Sequence, residues 1–232
     1  MEVAKTVIVT GGSDGLGSAL VDSLIVSGFR VVNISRREND KAHVNILCDL
    51  STTDGIKNAA DSILRMSEPL RAIIHSAGVL SFGDTSSLDG GEYERVFNIN
   101  TKAPMLITSQ LFNKLKADES DIVIINSVAG IQSYPTQTLY NSSKAALHSY
   151  TKDLRETLSS TASRVIGVYP GMLDTSMAQK IPDGAMPKSK HPTIKPADLA
   201  DYIVYTINLP KVMEVSDIVI NRKKYSRFNE VQ

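Results

Sequence analysis

Short runs of consecutive apolar residues alternate along this chain with longer stretches in which apolar residues return every three or four positions. The runs fall at 6–9, 29–35, 44–48, 71–75, 121–127, 164–169 and 216–220. Each is bounded by glycine, proline or short polar residues, which predicts seven strands. Between them lie patterns of helical period. Leu20, Val21, Leu24 and Ile25 share one face, as do Ile56, Ala59, Ala60, Ile63 and Leu64 over 52–66. A long pattern over 92–116 carries Val96, Phe97, Met105, Leu106, Leu111, Phe112 and Leu115, with Pro104 predicting a kink or break near residues 102–103. Further helices are predicted from Tyr140 to about Ser159 and over 197–207. Strand and helix alternate throughout, and the fifth run is apolar on both faces, so an α/β fold follows, a doubly wound parallel sheet with helices on both sides.

Composition narrows the picture. A chain of 232 residues, 42% hydrophobic and 22% charged, suits a single domain spanning 1–232. Its 25 basic residues balance 25 acidic ones, so no long-range field recruits nucleic acid or an anionic membrane, and a small-molecule partner is expected. Cys48 is the only cysteine, which excludes an internal disulfide, and His43, His75, His148 and His191 lack ligand spacing, so no metal is expected. No leader layout and no run of membrane-spanning length are present, and a cytoplasmic protein is the expectation.

Candidate chemistry collects at the ends of the predicted strands. After the first comes Thr10-Gly11-Gly12-Ser13-Asp14-Gly15-Leu16-Gly17, opening onto a helix. Glycines at 11, 15 and 17 permit a sharp turn and close approach to a pyrophosphate, which the helix N-terminus attracts; a dinucleotide is the expected guest. The second strand ends in Ser35-Arg36-Arg37. An acid there would bind a free ribose 2′-hydroxyl, whereas arginine pairs with a 2′-phosphate, so NADP(H) is favoured over NAD(H). Asp49, followed by Leu50, reads as a cap, as a contact for an adenine amino group or as a plain loop aspartate. Small residues Ser76-Ala77-Gly78 follow the fourth strand, Ser127 ends the fifth and Pro170-Gly171 closes the sixth. Tyr140 and Lys144 lie one helical turn apart, so an ammonium beside a phenol is expected to lower the phenol's pKa. With 8 tyrosines in the chain such a pair arises easily by chance, and it gains meaning only in company. Residues 176–196, with four prolines and little periodicity, are read as a substrate lid, and Arg222-Lys223-Lys224 as a solvated end.

Taken in order, Thr10-Gly11-x-x-x-Gly15-x-Gly17, Asp49, Ser76-Ala77-Gly78, Asn100, Ser127, Tyr140-x-x-x-Lys144 and Pro170-Gly171 followed by Thr175 resemble the short-chain dehydrogenase/reductase family over nearly the whole chain. The resemblance implies a Rossmann-type domain. It implies Tyr140 as general acid/base, Lys144 tuning that phenol and holding the nicotinamide ribose, Ser127 bonding the reacting oxygen, and Asn100 steadying a water that relays protons to Lys144. It also implies cofactor contacts from Gly11, Ser13, Asp14, Gly15, Leu16, Gly17, Ser35, Arg36, Arg37, Asp49, Leu50, Ser76, Ala77, Gly78, Pro170, Gly171 and Thr175. His75-Ser76 stands where the family usually has two asparagines, and the glycine-rich ending of many tetrameric members is missing. The resulting expectation is an NADP(H)-dependent oxidoreductase acting on a small ketone, aldehyde or alcohol, a homo-oligomer with a dimer favoured. The alternatives are a non-catalytic nucleotide-sensing or scaffolding protein on the same fold, and an extended-type epimerase or dehydratase whose larger substrate domain this length hardly accommodates.

Overall fold

Each apolar run becomes a strand because only a sheet covered on both faces can bury consecutive apolar side chains. The computed structural model describes residues 5–179, 181 and 193–223. In it β1 (Thr6–Thr10), β2 (Arg30–Ser35), β3 (Val44–Leu47), β4 (Leu70–His75), β5 (Asp121–Ile125), β6 (Arg164–Pro170) and β7 (Asp217–Ile220) form one sheet. Every neighbouring pair is parallel, in the order β3-β2-β1-β4-β5-β6-β7. The chain winds outward from β1 to β3, then crosses back to lay β4 on the other side of β1. That reversal opens a crevice at the carboxyl ends of β1 and β4, where open parallel sheets hold ligands.

Alternation along the strands feeds two cores. Val7, Val9, Val123 and Val168 face α1 (Gly15–Val26) and α7 (Pro196–Asn208), which meet through Leu20, Leu24, Leu199 and Ile203. Ile8, Ile73, Ile122 and Ile124 face α2 (Thr53–Leu64), α4 (Ala103–Ala117) and α5 (Thr138–Leu158), with Ile56, Ile107, Leu111 and Leu147 between them. The predicted 92–116 helix is divided into α3 (Gly90–Phe97) and α4 by a π-helical turn, Asn98–Lys102. Ala103 N donates to Asn98 O across that wide turn. It stands in place of the expected kink, since Pro104 then falls in the first turn of α4, where a missing N–H costs little. Of the predicted lid, α6 (Ser176–Gln179) and residues 193–196 are described, and residues 180 and 182–192 lie outside the described residues.

The amino edge of the sheet is tied by Asp121, which is fully buried. Arg164 grips its carboxylate with Nε at 2.9 Å and Nη2 at 2.6 Å, Arg71 Nη1 lies at 2.6 Å and Lys211 Nζ at 2.7 Å. Three cations exceed one carboxylate, and the surplus meets carbonyls at and beyond the C-terminus of α7, those of Ile207 and Met213. Burial pushes the Asp121 carboxyl up, but Arg164, Lys211 and Arg71 together hold it below the ordinary value.

Candidate active site

The turn after β1 is built so tightly that side chains are excluded. Gly11 has φ 71°, and a Cβ there would stand 2.8 Å from Ala77 Cα; a Cβ on Gly17 would stand 2.1 Å from the Gly11 carbonyl oxygen. Thr10 Oγ1 accepts from Ser76 N and Ala77 N, both at 3.1 Å, which fastens the loop after β4 beside the glycine turn. Asp14 caps α1, its Oδ1 accepting from Gly15 N at 2.7 Å. Its Oδ2 accepts from Ser176 Oγ at 2.9 Å and from Arg37 Nη2 at 3.2 Å. The Ser176 bond leads in holding this carboxyl below its ordinary value, burial opposing, with Gly15 and Arg37 adding to it.

At the end of β2, Asn33 Nδ2 donates to Asn45 Oδ1 at 2.8 Å and to the Arg37 carbonyl at 3.2 Å, and the Ser35 hydroxyl donates to that same carbonyl. Asn39 Nδ2 donates to Gly12 O at 2.7 Å, clipping this turn to the glycine loop. The two arginines therefore differ. Arg37 is engaged with Asp14, while Arg36 is exposed and has no hydrogen bond or ion pair among the described residues, its charge reaching Asp49. Asp49 Oδ1 accepts from Ser51 N at 2.9 Å, whereas Thr52 caps α2, so Asp49 is a turn residue and not the helix cap; Asp49 and Leu50 both line the cavity.

The chemical end draws on β5 and α5. Ser127 closes a 3₁₀ turn, its Oγ accepting from Ala129 N at 3.1 Å, and it faces the Tyr140 phenol closely enough to lower that group's pKa. Lys144 is buried, with Nζ 5.9 Å from the centre of the Tyr140 ring and donating to Ile125 O at 2.9 Å. Burial pushes the Lys144 amine down to about 8. The start of α5 is fixed by Thr101 Oγ1 donating to Ser143 O at 3.0 Å, and by Gly130, where a Cβ would meet the Lys144 carbonyl at 2.7 Å.

One expectation is corrected here. The phenol of Tyr140 lies above its ordinary pKa, not below it: among the chain's own groups burial outweighs the help from Ser127, and Lys144 is turned to a backbone carbonyl. Asn100 is buried and its side chain is held on three sides. Its Nδ2 donates to Val79 O at 2.9 Å and Ser143 Oγ at 3.1 Å, and its Oδ1 accepts from Val79 N at 2.8 Å. It stands behind Gly78, clamping the loop that follows β4 to α5.

Ser127, Tyr140 and Lys144 share one cavity of about 990 Å³ with every residue assigned above to cofactor contacts, from Gly11 to Thr175. Val128, Gln132, Tyr134, Met172 and Met177, neighbours of the site in sequence, also line it. His75 is buried and neutral, its imidazole pushed down to about 3 by burial and its Nε2 bonded to Thr108 Oγ1 at 2.9 Å; it ties β4 to α4. One residue was missed altogether. Arg222, read as part of a solvated end, is half-buried in the cavity wall; its place two residues past the strand that pairs with Pro170 was the available signal. Lys224 and the rest of that end lie outside the described residues. Among the described residues no cluster of histidine, cysteine and carboxylates could hold a metal ion, and no helix is long and apolar enough to cross a membrane.

Comparison with known proteins gives the same arrangement a lineage. A family model for short chain dehydrogenases matches residues 5–185. An uncharacterized oxidoreductase of Staphylococcus saprophyticus is 26% identical over 230 residues, covering 93% of this chain and 96% of its own length. A short chain dehydrogenase family protein from Francisella tularensis superposes with a TM-score of 0.83 at 26% identity, over 94% of this chain and 98% of that one. An alcohol dehydrogenase from the archaeon Thermococcus sibiricus, complexed with 5-hydroxy-NADP, is alike in fold alone, with a TM-score of 0.84 at 19% identity over 96% of this chain and 100% of that one.

Proposed function

This chain belongs to the short chain dehydrogenase family, and on that premise we propose that it is an NADP(H)-dependent oxidoreductase interconverting a small ketone or aldehyde and its alcohol. The observation carrying this reading is the convergence of Ser127, Tyr140 and Lys144 on a cavity whose other end is the glycine turn. The turn fits a dinucleotide, because its side-chain-free surface and the N-terminus of α1 suit a pyrophosphate. Gly11, Gly15 and Gly17 would hold the phosphates, Arg36 the 2′-phosphate, Asp49 and Leu50 the adenine, and Lys144 and Thr175 the nicotinamide half. When bound, the cofactor supplies or accepts a hydride at the reacting carbon. Ser127 orients the carbonyl oxygen, on which negative charge grows, and Tyr140 donates a proton to it, or takes one in the reverse direction. A phenol above its ordinary pKa is fully protonated at neutral pH, which suits the acid role in reduction. The 176–196 segment is assigned as the substrate lid, and the protein as a homodimer.

The test is Tyr140→Phe. Turnover of NADPH with a panel of aldehydes, ketones and diketones is expected to fall by about 10²–10⁴-fold, while NADPH binding followed by fluorescence stays within about twofold. A variant that retains full turnover overturns the assignment of Tyr140, and a wild-type protein that binds NADPH yet reduces nothing favours the sensing role instead.

A further inference from the structure

Arg222 stands just past the end of β7. Parallel pairing sets Ile220 opposite Pro170, and Gly171 N donates to Ile220 O at 2.7 Å, so residue 222 arrives at the same carboxyl edge as Pro170-Gly171. There its side chain joins the cavity wall beside Met172 and Leu173. Its Nη1 is closed off from solvent and has no hydrogen-bond partner among the described residues. A donor so placed costs free energy until something accepts its proton.

No carboxylate of the cavity wall is bonded to Arg222 Nη1 among the described residues. The cavity's two lining carboxylates among the described residues, Asp14 and Asp49, both belong to the nucleotide half. The other cations near the chemical end are already engaged, Lys144 with the Ile125 carbonyl and Arg95 with Glu92. Asn126 Nδ2, at the end of β5 in the same cavity, is a second buried donor without a partner. Both donors line the cavity that holds Ser127 and Tyr140, and each calls for an acceptor from whatever is bound there.

We propose that Arg222 is the anchor of a carboxylate-binding subsite, and that the carbonyl or alcohol substrate carries a carboxylate. The guanidinium fork matches a carboxylate in two parallel hydrogen bonds, which fixes the orientation of the substrate as well as its charge. This inference rests on the oxidoreductase reading for the identity of the guest as a substrate, but the subsite itself is measurable without turnover.

Full-length Arg222→Gln and Arg222→Lys would be compared with wild type in two experiments at constant ionic strength. In the first, succinate and its diamide are titrated calorimetrically. Wild type is expected to bind succinate and not the diamide, the glutamine variant to bind succinate at least tenfold more weakly, and the lysine variant to lie between. In the second, NADPH oxidation is followed with 4-carboxybenzaldehyde and its methyl ester. The ratio of acid to ester kcat/KM is expected to fall at least tenfold in Arg222→Gln, chiefly through the KM of the acid.

Equal succinate binding in wild type and Arg222→Gln, or none in either, overturns the subsite. So does a parallel loss of NADPH affinity in Arg222→Gln, which would assign the guanidinium to a cofactor phosphate. If wild type binds succinate through Arg222 but reduces neither aldehyde, the subsite stands as an anion site and the oxidoreductase reading is what fails.

Discussion

Tyr140 and Lys144 meet at the site with their proton affinities shifted in opposite directions, the phenol upward and the amine down to about 8. Both shifts come from burial, which disfavours whichever form is charged. The amine is therefore ionised at neutral pH and loses its charge within the working range. If the charged amine supports the proton donor, kcat/KM for carbonyl reduction falls as pH rises through about 8. In Lys144→Arg, whose side chain keeps its charge, that descending limb should be absent from profiles taken between pH 6 and 10. On the proposed reading Arg36 is the residue that sets the coenzyme preference, since Arg37 is already bound to Asp14. Arg36→Ala is expected to weaken NADPH binding by about tenfold to a hundredfold, the loss of charge-assisted bonds to a phosphate, with NADH little changed. Fluorescence titration with both coenzymes reads the difference. The Ser-Tyr-Lys set was legible in the sequence because its members keep a fixed order and spacing. Arg222 was not, because a basic cluster near a chain end looks solvated until the strand before it is known to lie beside β6.

The elements that matter most are those with no room to vary. The predicted strands all formed, within a residue or two of the expected limits; the central ones are runs that only a doubly covered sheet can bury, and β3 and β7 pair along its partly exposed edges. Local pattern was a poorer guide where backbone geometry departs from the regular period. Pro104 announced an interruption, but that it would be a π turn spanning Asn98–Lys102 depends on Asn100 being held by Val79 and Ser143, partners 21 and 43 residues away. The glycine turn shows the opposite case, in which geometry enforces the motif. In Gly17→Ala the new carbon would overlap the Gly11 carbonyl, which would open the turn at about 1–3 kcal/mol. Thermal unfolding should begin several degrees lower, and NADPH binding should be lost to a degree that stability alone does not explain.

On the scale of the whole molecule, the two edges of the sheet are put to different uses. The carboxyl edge is hollow and gathers chemistry from the ends of all seven strands, together with the start of α5. The amino edge is solid, with Asp121 fastening β4, β5, β6 and the end of α7. The carboxyl of Asp121 is held below its unfolded value, so its contribution to stability is complete above an unfolded pKa of about 3.9 and is lost as pH falls through the lower folded value. Asp121→Asn leaves three cations facing a neutral amide and is expected to cost about 3–5 kcal/mol. Melting temperatures measured between pH 2.5 and 7 should show a wild-type decline at the acid end that is shallower in the variant. The order of the strands was implicit in the alternation of strand and helix, but this ionic knot was not. Its members, Arg71, Asp121, Arg164 and Lys211, are scattered over 140 residues and share no local pattern.

A single oxygen, Oδ2 of Asp14, answers to claimants from opposite ends of the groove, a guanidinium beside the adenosine region and the hydroxyl that begins α6. The turn after β2 and the footing of α6 are thus wired to one atom. An engineer who rewrites Arg37 will find that the start of α6 has lost part of its tether.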